Sequence, residues 1–250
     1  MWLSGLSSAK GAANMYYRNF FLIVAVQLAW YFLICLINRS GLGTAGRHLL
    51  FGMVCGVPVG LLFDLVFCDI AGVFEYPAYM GWRFLVINGL FSYGLSTATV
   101  FVCAGLVLSR TGGNRNATLY LHVVIALLCS CLALLSSSSI IIVFSAGACI
   151  LFTCEAILAL LHANGAINAL QHSHMKPFGR FWALSVATGL VYESANLLYP
   201  VWAWSPFIVT PCITTGVIVV FGYFVLLYPA LALSRACDLF NNLFNGGRGL

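Results

Sequence analysis

Long apolar runs separated by short polar connectors dominate the pattern along the chain. The runs lie near 19–37, 48–68, 82–108, 117–136, 139–161, 178–199 and 206–232. A helix needs about 20 apolar residues to cross the hydrocarbon core of a bilayer, which is roughly 30 Å thick. The pattern therefore predicts seven transmembrane helices, of which the fourth and fifth meet in a tight polar hairpin at 136–139.

The connectors are too short to hold a soluble domain. They include a glycine-rich segment at 38–47, a polar segment at 109–116 and the aromatic turn P-V-W-A-W-S-P at 200–206. No run alternates apolar and polar residues in the way that strands of a membrane β-barrel do. We therefore predict one integral membrane domain over residues 1–250, an all-α polytopic bundle.

The composition agrees with a membrane location. Hydrophobic residues are 62% of the chain and charged residues only 7%, whereas soluble domains carry about 25% charged residues. The eleven Lys and Arg stand almost singly, so no basic stripe is present to bind nucleic acid. The expected surroundings are the lipid bilayer, and in a eukaryotic cell the endoplasmic reticulum membrane.

The positions of the basic residues predict the orientation, because cytoplasmic connectors are enriched in Lys and Arg. With the N-terminus outside, three basic residues lie on the non-cytoplasmic side, namely Lys10, Arg18 and Arg83. The other eight lie on the cytoplasmic side, and they are Arg39, Arg47, Arg110, Arg115, Lys176, Arg180, Arg235 and Arg248. This bias favours an N-out, C-in arrangement.

Five of the six acidic residues lie in or beside the apolar runs. Asp64, Glu155 and Glu193 are inside runs, and Asp69 and Glu75 follow the second run. A charge at mid-membrane costs about 2.5–3.5 kcal/mol on insertion scales. One interpretation is a cavity whose carboxyl groups stay protonated near neutral pH and act as general acids. The alternative is that each acid only hydrogen-bonds a neighbouring helix.

Aromatic residues are dense around these acids. The candidates for a binding site are Phe63, Phe67, Tyr76, Trp82, Tyr192 and Trp204. Interfacial aromatic belts explain many such residues, and the alternative is a pocket whose rings stabilise carbocations through their quadrupoles. Arg83, at the start of the third run, is a further binding-site candidate and a natural partner for Glu75 or Asp69.

The sequence predicts neither a metal nor a cofactor. The five histidines lack the spacing of a ligand set, apart from one H-x-H at 172–174. No acidic motif of the magnesium–diphosphate type occurs either, so prenyl transfer from a diphosphate would lack its metal ligands.

Short motifs resemble the small seven-span terpene cyclases of fungal meroterpenoid and indole-diterpene pathways. Those proteins carry W-E-F-V-Y-C in the second span, and residues 63–68 read F-D-L-V-F-C here. Arg180-Phe181 and Ser205-Pro206 are similar to their R-F start of the sixth span and S-P before the seventh. The family's second acid, an Asp in the last span, has no counterpart, since residues 219–222 read V-V-F-G. Glu193, one span earlier, is a possible substitute.

The resemblance implies acid-initiated cyclisation of a lipophilic prenylated small molecule without a cofactor. Asp64 would protonate a terminal epoxide or alkene, and Glu193, Asp69 or Glu75 would complete the donor network or accept the final proton. Two other functions remain open. A non-catalytic subunit of a membrane complex would satisfy its acids between helices. A proton-coupled carrier would use them as relay sites and have broken helices, for which 56–60 and Pro211 are candidates.

Overall fold

In a computed structural model of the chain, residues 2–76, 82–110, 115–171, 175–204 and 215–244 are described, and they form an all-α bundle. The helices are α1 Trp2–Ile37, α2 Leu42–Phe63, α3 Trp82–Asn88, α4 Gly94–Val107, α5 Arg115–Leu135, α6 Ser139–Leu160, α7 Ala166–Gln171, α8 Met175–Leu198 and α9 Tyr223–Phe244. Three π-helical segments interrupt or extend them, π1 Asp64–Ile70 after α2, π2 Gly89–Tyr93 between α3 and α4, and π3 Ile218–Gly222 before α9. The predicted all-α class is confirmed.

Among the described residues, five helical segments are long and apolar enough to span a membrane, and they are Asn14–Ile37, Leu42–Ile70, Trp82–Val107, Ile140–Leu160 and Thr215–Leu239. Leu119–Leu135 is a shorter apolar helix. Helix α8 has 24 residues, but it buries polar side chains such as Thr188, Glu193 and Asn196, which lower its hydropathy. These features are those of an integral membrane protein.

Large apolar side chains cover the outside of the bundle. Leu36, Leu134, Leu135 and Leu197 are each at least 75% exposed. A soluble protein would pay heavily for such a surface, whereas lipid tails solvate it without cost. The exposed leucines therefore mark the lipid-facing side of their helices.

Glycines bring α2 close to the helices of the third apolar run. A Cβ atom built on Gly52 would lie 2.5 Å from Cβ of Ala98, and one on Gly94 would lie 2.7 Å from Cα of Met53. Small residues allow such close approach between membrane helices. Helix α2 continues through Pro58, so residues 56–60 do not break it, and Pro211 lies outside the described residues.

Two short antiparallel strand pairs join the connectors. β1 Phe74–Glu75 pairs with β4 Ala203–Trp204, with Phe74 opposite Trp204. β2 Ser109–Arg110 pairs with β3 Ala163–Asn164. The first pair holds the segment that follows π1 against the segment that follows α8, and it carries aromatic residues from both towards the candidate site.

Candidate active site

Asp64, the first residue of π1, is 3% exposed and accepts hydrogen bonds from two tyrosines. The hydroxyls of Tyr76 and Tyr93 each donate to Oδ1 of Asp64 over 2.9 Å. Nδ2 of Asn88 donates in turn to the hydroxyl oxygen of Tyr76 over 2.8 Å. The other oxygen, Oδ2, is buried and has no hydrogen-bond partner among the described residues. This group is the Asp64 network.

Tyr76 lies in the connector after π1, and its hydroxyl keeps its proton. Burial raises the pKa of Tyr76 well above its ordinary value, and the neighbouring Tyr93 and Asp64 raise it further. The hydroxyl is therefore neutral, and it can donate one hydrogen bond while accepting others. A neutral hydroxyl between a carboxyl group and a cavity is suited to passing a proton between them.

Glu193, on α8, is 5% exposed and forms the second network. Its Oε1 accepts from the hydroxyl of Tyr223 over 2.8 Å and from Nε1 of Trp202 over 3.3 Å. Its Oε2 accepts from Nε1 of Trp204 over 2.8 Å. Both oxygens are therefore satisfied, by donors from α9, from the connector after α8 and from β4. We call this group the Glu193 network.

Each network seats one tyrosine ring against a glycine of a neighbouring helix. A Cβ atom on Gly60 of α2 would lie 2.5 Å from Cδ2 of Tyr93. A Cβ atom on Gly189 of α8 would lie 2.8 Å from Cδ2 of Tyr223. Real Cβ contacts are longer than this, so only glycine allows the two rings to occupy these places. The glycines thus position the tyrosine hydroxyls at the carboxyl groups.

A small cavity of about 50 Å³ lies between the two networks. Tyr76 and Tyr93 of the Asp64 network line it, together with Tyr223 of the Glu193 network. Its other lining residues are Phe74, Asn88, Ser92, Ser96, Tyr192, Trp202, Trp204 and Leu226. The carboxyl groups themselves stand behind their hydroxyl and indole donors, so any proton exchanged with the cavity passes through the hydroxyl groups, since an indole N–H only donates a hydrogen bond.

A larger apolar cleft of about 460 Å³ adjoins the small cavity. The two share four residues, which are Phe74, Trp204, Tyr223 and Leu226. Other aromatic residues of the cleft are Phe63, Phe67, Phe144, Phe178, Trp182, Phe221 and Phe224. Its volume is within the range of small-molecule sites, about 300–1,000 Å³. The arrangement can hold a lipophilic molecule that reaches both carboxyl networks with one end.

Some of the site residues predicted from the sequence line the cavities, and others do not. Phe63 and Phe67 line the cleft, Tyr76 and Tyr192 line the small cavity, and Trp204 lines both. Four others lie outside both cavities, namely Asp69, Glu75, Trp82 and Arg83. Asp69 and Glu75 are exposed. Arg83 lies over the ring of Trp82, with its guanidinium carbon 5.8 Å from the ring centroid.

Besides Trp202, which lies in the aromatic turn after α8, three residues of the networks were not nominated from the sequence: Asn88, Tyr93 and Tyr223. Each is a buried residue with a polar group inside an apolar run. That property is the signal that could have identified them, because a buried polar group needs a hydrogen-bond partner. The partners lie in other parts of the chain, Asp64 and Glu193 in other runs and Tyr76 in a connector, so the pairing is not visible along the chain.

Glu155, the third acid within the apolar runs, has different surroundings. It is 1% exposed, and its Oε1 accepts from the hydroxyl of Tyr228. The backbone N–H groups of Ile167 and Asn168 donate to the same oxygen over 2.9 Å and 3.1 Å. Glu155 lines neither cavity. It joins α6 to the beginning of α7 and to α9, as expected of an acid that holds helices together.

The histidines of the H-x-H segment at 172–174 lie outside the described residues. Within the described residues, no group of three or more His, Cys, Asp or Glu could hold a metal ion.

Comparison of the chain with protein-family models, with curated proteins and with solved structures gave no match. The geometry of the two networks and the two cavities is therefore the basis for a functional assignment.

Proposed function

We propose that the protein is a membrane-embedded, cofactor-independent terpene cyclase, of the isomerase or lyase type. Its substrate is a lipophilic molecule with a prenyl epoxide or alkene. One observation carries the proposal: the small cavity, lined by hydroxyls that bind two buried carboxyl groups, adjoins an aromatic cleft of about 460 Å³. Such a site can protonate one end of a prenyl chain while holding the rest. The resemblance of residues 63–68 to the second-span motif of known cyclases points the same way.

Asp64 acts as the proton source through Tyr93 or Tyr76. The tyrosine gives its hydroxyl proton to the epoxide oxygen and receives the carboxyl proton of Asp64. The epoxide C–O bond then breaks and leaves a cation on the more substituted carbon. Alkene electron pairs of the chain attack this cation and form the rings. General acid catalysis of this kind contributes about 10²–10⁴-fold to a rate.

The aromatic walls guide the cation, and Glu193 ends the reaction. Phe63, Phe67 and Trp204 present rings whose negative faces stabilise a passing positive charge. The last cation loses a proton to the hydroxyl of Tyr223, which passes its own proton to Glu193. The substrate has then gained one proton and lost one, so its mass is unchanged. Return of the proton from Glu193 to Asp64 across the small cavity restores both networks.

The same proposal includes seven spans with the N-terminus outside, and the endoplasmic reticulum as the location in a eukaryotic cell. The strand pairs support alternating crossings. β1 and β4 follow the second and sixth apolar runs, and β2 and β3 follow the third and fifth. In a bundle of seven alternating spans, both members of each pair lie on one side of the membrane.

The lining of the cleft favours an enzyme over a proton-coupled carrier. The residues that line it are almost all apolar, which suits a lipophilic ligand. A carrier requires a hydrated path between its relay acids. Glu155, the third acid of such a relay, is held by Tyr228 and backbone amides away from both cavities.

The test is product analysis in a heterologous host supplied with epoxidised, prenylated aromatic substrates. Wild type is expected to give a new product of unchanged mass by chromatography and mass spectrometry. Asp64→Asn, which keeps the shape of the side chain but cannot supply the proton, is expected to lower its yield by about 10²-fold or more. Asp69→Asn is the matched control and is expected to leave the yield unchanged, because Asp69 is exposed. A folded wild-type protein that converts none of the substrates would contradict the proposal.

A further inference from the structure

We infer that the two cavities bind a single amphiphilic molecule, whose neutral polar head occupies the small cavity and whose hydrocarbon tail lies in the apolar cleft. The tail enters sideways from the bilayer. This inference rests on the proposed function only in placing the reacting group in the small cavity. It adds which class of head group the site accepts and by which route the tail arrives.

The lining residues that the two cavities share indicate one occupant. Trp204 and Tyr223 line both spaces, and each also donates a hydrogen bond to Glu193. A molecule whose polar end contacts these donors therefore has its apolar end at the mouth of the cleft. The tyrosine hydroxyls of the small cavity already donate to the carboxyl groups, but their oxygens can accept further hydrogen bonds, which a polar head provides and a purely apolar molecule does not.

The lining of the small cavity predicts a neutral head. The described residues that line it offer hydroxyl, amide and indole groups, and none is Lys or Arg. Behind these donors stand the carboxyl groups of Asp64 and Glu193. A phosphate or carboxylate would lose its water there without gaining a counter-charge, which is costly. Alcohols, phenols and epoxides lose only hydrogen bonds with water, and the hydroxyl groups of the lining, which can both donate and accept, can replace them.

The entrance lies between α6 and π3. Phe144 of α6 and Phe221 of π3 both line the cleft, and they are 62% and 63% exposed. In a membrane-spanning bundle such exposure is to lipid. The indole N–H of Trp182 donates to the carbonyl oxygen of Val220 over 3.1 Å and so satisfies a backbone group of π3. The cleft is therefore open to the acyl chains of the bilayer at this point. The hydrogen bond from Trp182 holds π3 beside the opening.

Gly147 provides a way to close the cleft. It lines the cleft one turn after Phe144. A Cβ atom on Gly147 would meet only the methyl groups of Val225, at 3.7 Å, which is an ordinary contact. A small side chain is thus tolerated, and a larger one extends into the space for the tail. Gly105 of α4 is a matched control, since a Cβ atom there meets nothing within 4 Å.

The experiment measures binding of three radiolabelled probes to the full chain in lipid nanodiscs, without turnover. Farnesol, farnesoic acid and farnesyl phosphate share one tail and differ in the charge of the head. Farnesol is expected to bind at least about tenfold more tightly than either anion, a difference of about 1.4 kcal/mol. Gly147→Leu is expected to weaken farnesol binding by about tenfold or more, and Gly105→Leu is expected to leave it unchanged.

Each other result overturns a part of the inference. Equal binding of the three probes would contradict the neutral head. Unchanged farnesol binding by Gly147→Leu would contradict the position of the tail, and absence of saturable binding of any probe would contradict both. If wild type binds farnesol selectively but converts no prenyl epoxide, the proposed function is contradicted and this inference still holds.

Discussion

The hydroxyl of Tyr223 donates a hydrogen bond to Oε1 of Glu193 over 2.8 Å, and Tyr223 lines both the small cavity and the apolar cleft. Tyr223 begins α9, directly after π3, and Glu193 lies on α8. The bond therefore joins two helices and also places a proton-carrying group where both cavities meet. Structural and chemical roles coincide in this pair, and substitutions can separate them.

Tyr223→Phe is expected to lower turnover by about 10²-fold, because the hydroxyl that accepts the final proton is lost. Glu193 keeps Trp202 and Trp204 as donors, so the loss of one hydrogen bond is expected to cost only about 0.5–1.5 kcal/mol of stability. The measurement is product yield per folded protein, with folding followed by thermal unfolding in detergent.

Tyr199→Phe is the control for this substitution. Tyr199 is half-buried in the same aromatic region, but it lines neither cavity. Its variant is expected to keep the wild-type yield. If Tyr223→Phe turns over substrate as fast as Tyr199→Phe, Tyr223 takes no part in proton transfer.

Gly189 is expected to tolerate no larger side chain. A Cβ atom at Gly189 would lie 2.8 Å from the ring of Tyr223, whereas one at Gly179 of the same helix would meet nothing within 4 Å. Gly189→Val is therefore expected to displace Tyr223, to destabilise the fold by about 1–3 kcal/mol and to lower turnover. Gly179→Val carries the same change in helix propensity without the clash. Equal unfolding temperatures for the two variants would show that the ring is not confined by Gly189.

The apolar runs made the helical fold predictable, and the local sequence made part of the site predictable. Phe63 and Phe67 flank Asp64 in one helical segment, so their closeness follows from helical periodicity. Asp69 and Glu75 are also near Asp64 in sequence, but both are exposed. Asp69 lies in π1 with Asp64 but faces away from the core, and Glu75 follows the end of the helix at Ile70. Closeness along the chain predicts closeness in space only for residues on one face of a continuing helix.

The other half of each network could not be predicted, because it depends on how helices pack. Tyr93 is 29 residues from Asp64, and Tyr223 is 30 residues from Glu193. Their rings reach the acids since Gly60 and Gly189 leave room for them. Small residues in a membrane helix indicate close packing, but the sequence does not say which partner uses each one.

Glu155 is expected to serve stability rather than catalysis. Glu155→Ala would remove the buried acceptor of the Tyr228 hydroxyl and of the backbone N–H of Asn168, whereas the N–H of Ile167 keeps the Tyr228 hydroxyl oxygen. Each such group costs about 1–3 kcal/mol, so the unfolding temperature in detergent is expected to fall markedly. Glu155→Gln retains an acceptor oxygen, so its unfolding temperature is expected to fall less. A Glu155→Gln protein with wild-type stability but no turnover would show instead that the carboxyl group takes part in the reaction.

The seven-span, N-out arrangement predicts that Gly43 and Ser137 face opposite sides of the membrane. Gly43 lies in the first turn of α2, and Ser137 lies in the hairpin between α5 and α6. Both are exposed, and three proposed spans separate them, including α5, the shorter apolar helix. In sealed microsomes, a membrane-impermeant maleimide is expected to label Gly43→Cys directly and Ser137→Cys only after permeabilisation. The unsubstituted protein gives the background from the native cysteines.

The two ways in which this labelling can fail have different meanings. If Ser137→Cys is labelled directly and Gly43→Cys only after permeabilisation, the number of spans between them stands, and the orientation is the reverse of that predicted from the basic residues. If both are labelled from the same side, an even number of crossings separates them, and α5 does not cross the membrane. Labelling of both residues from the same side would also contradict the seven alternating spans. The two members of each strand pair would then lie on opposite sides of the membrane.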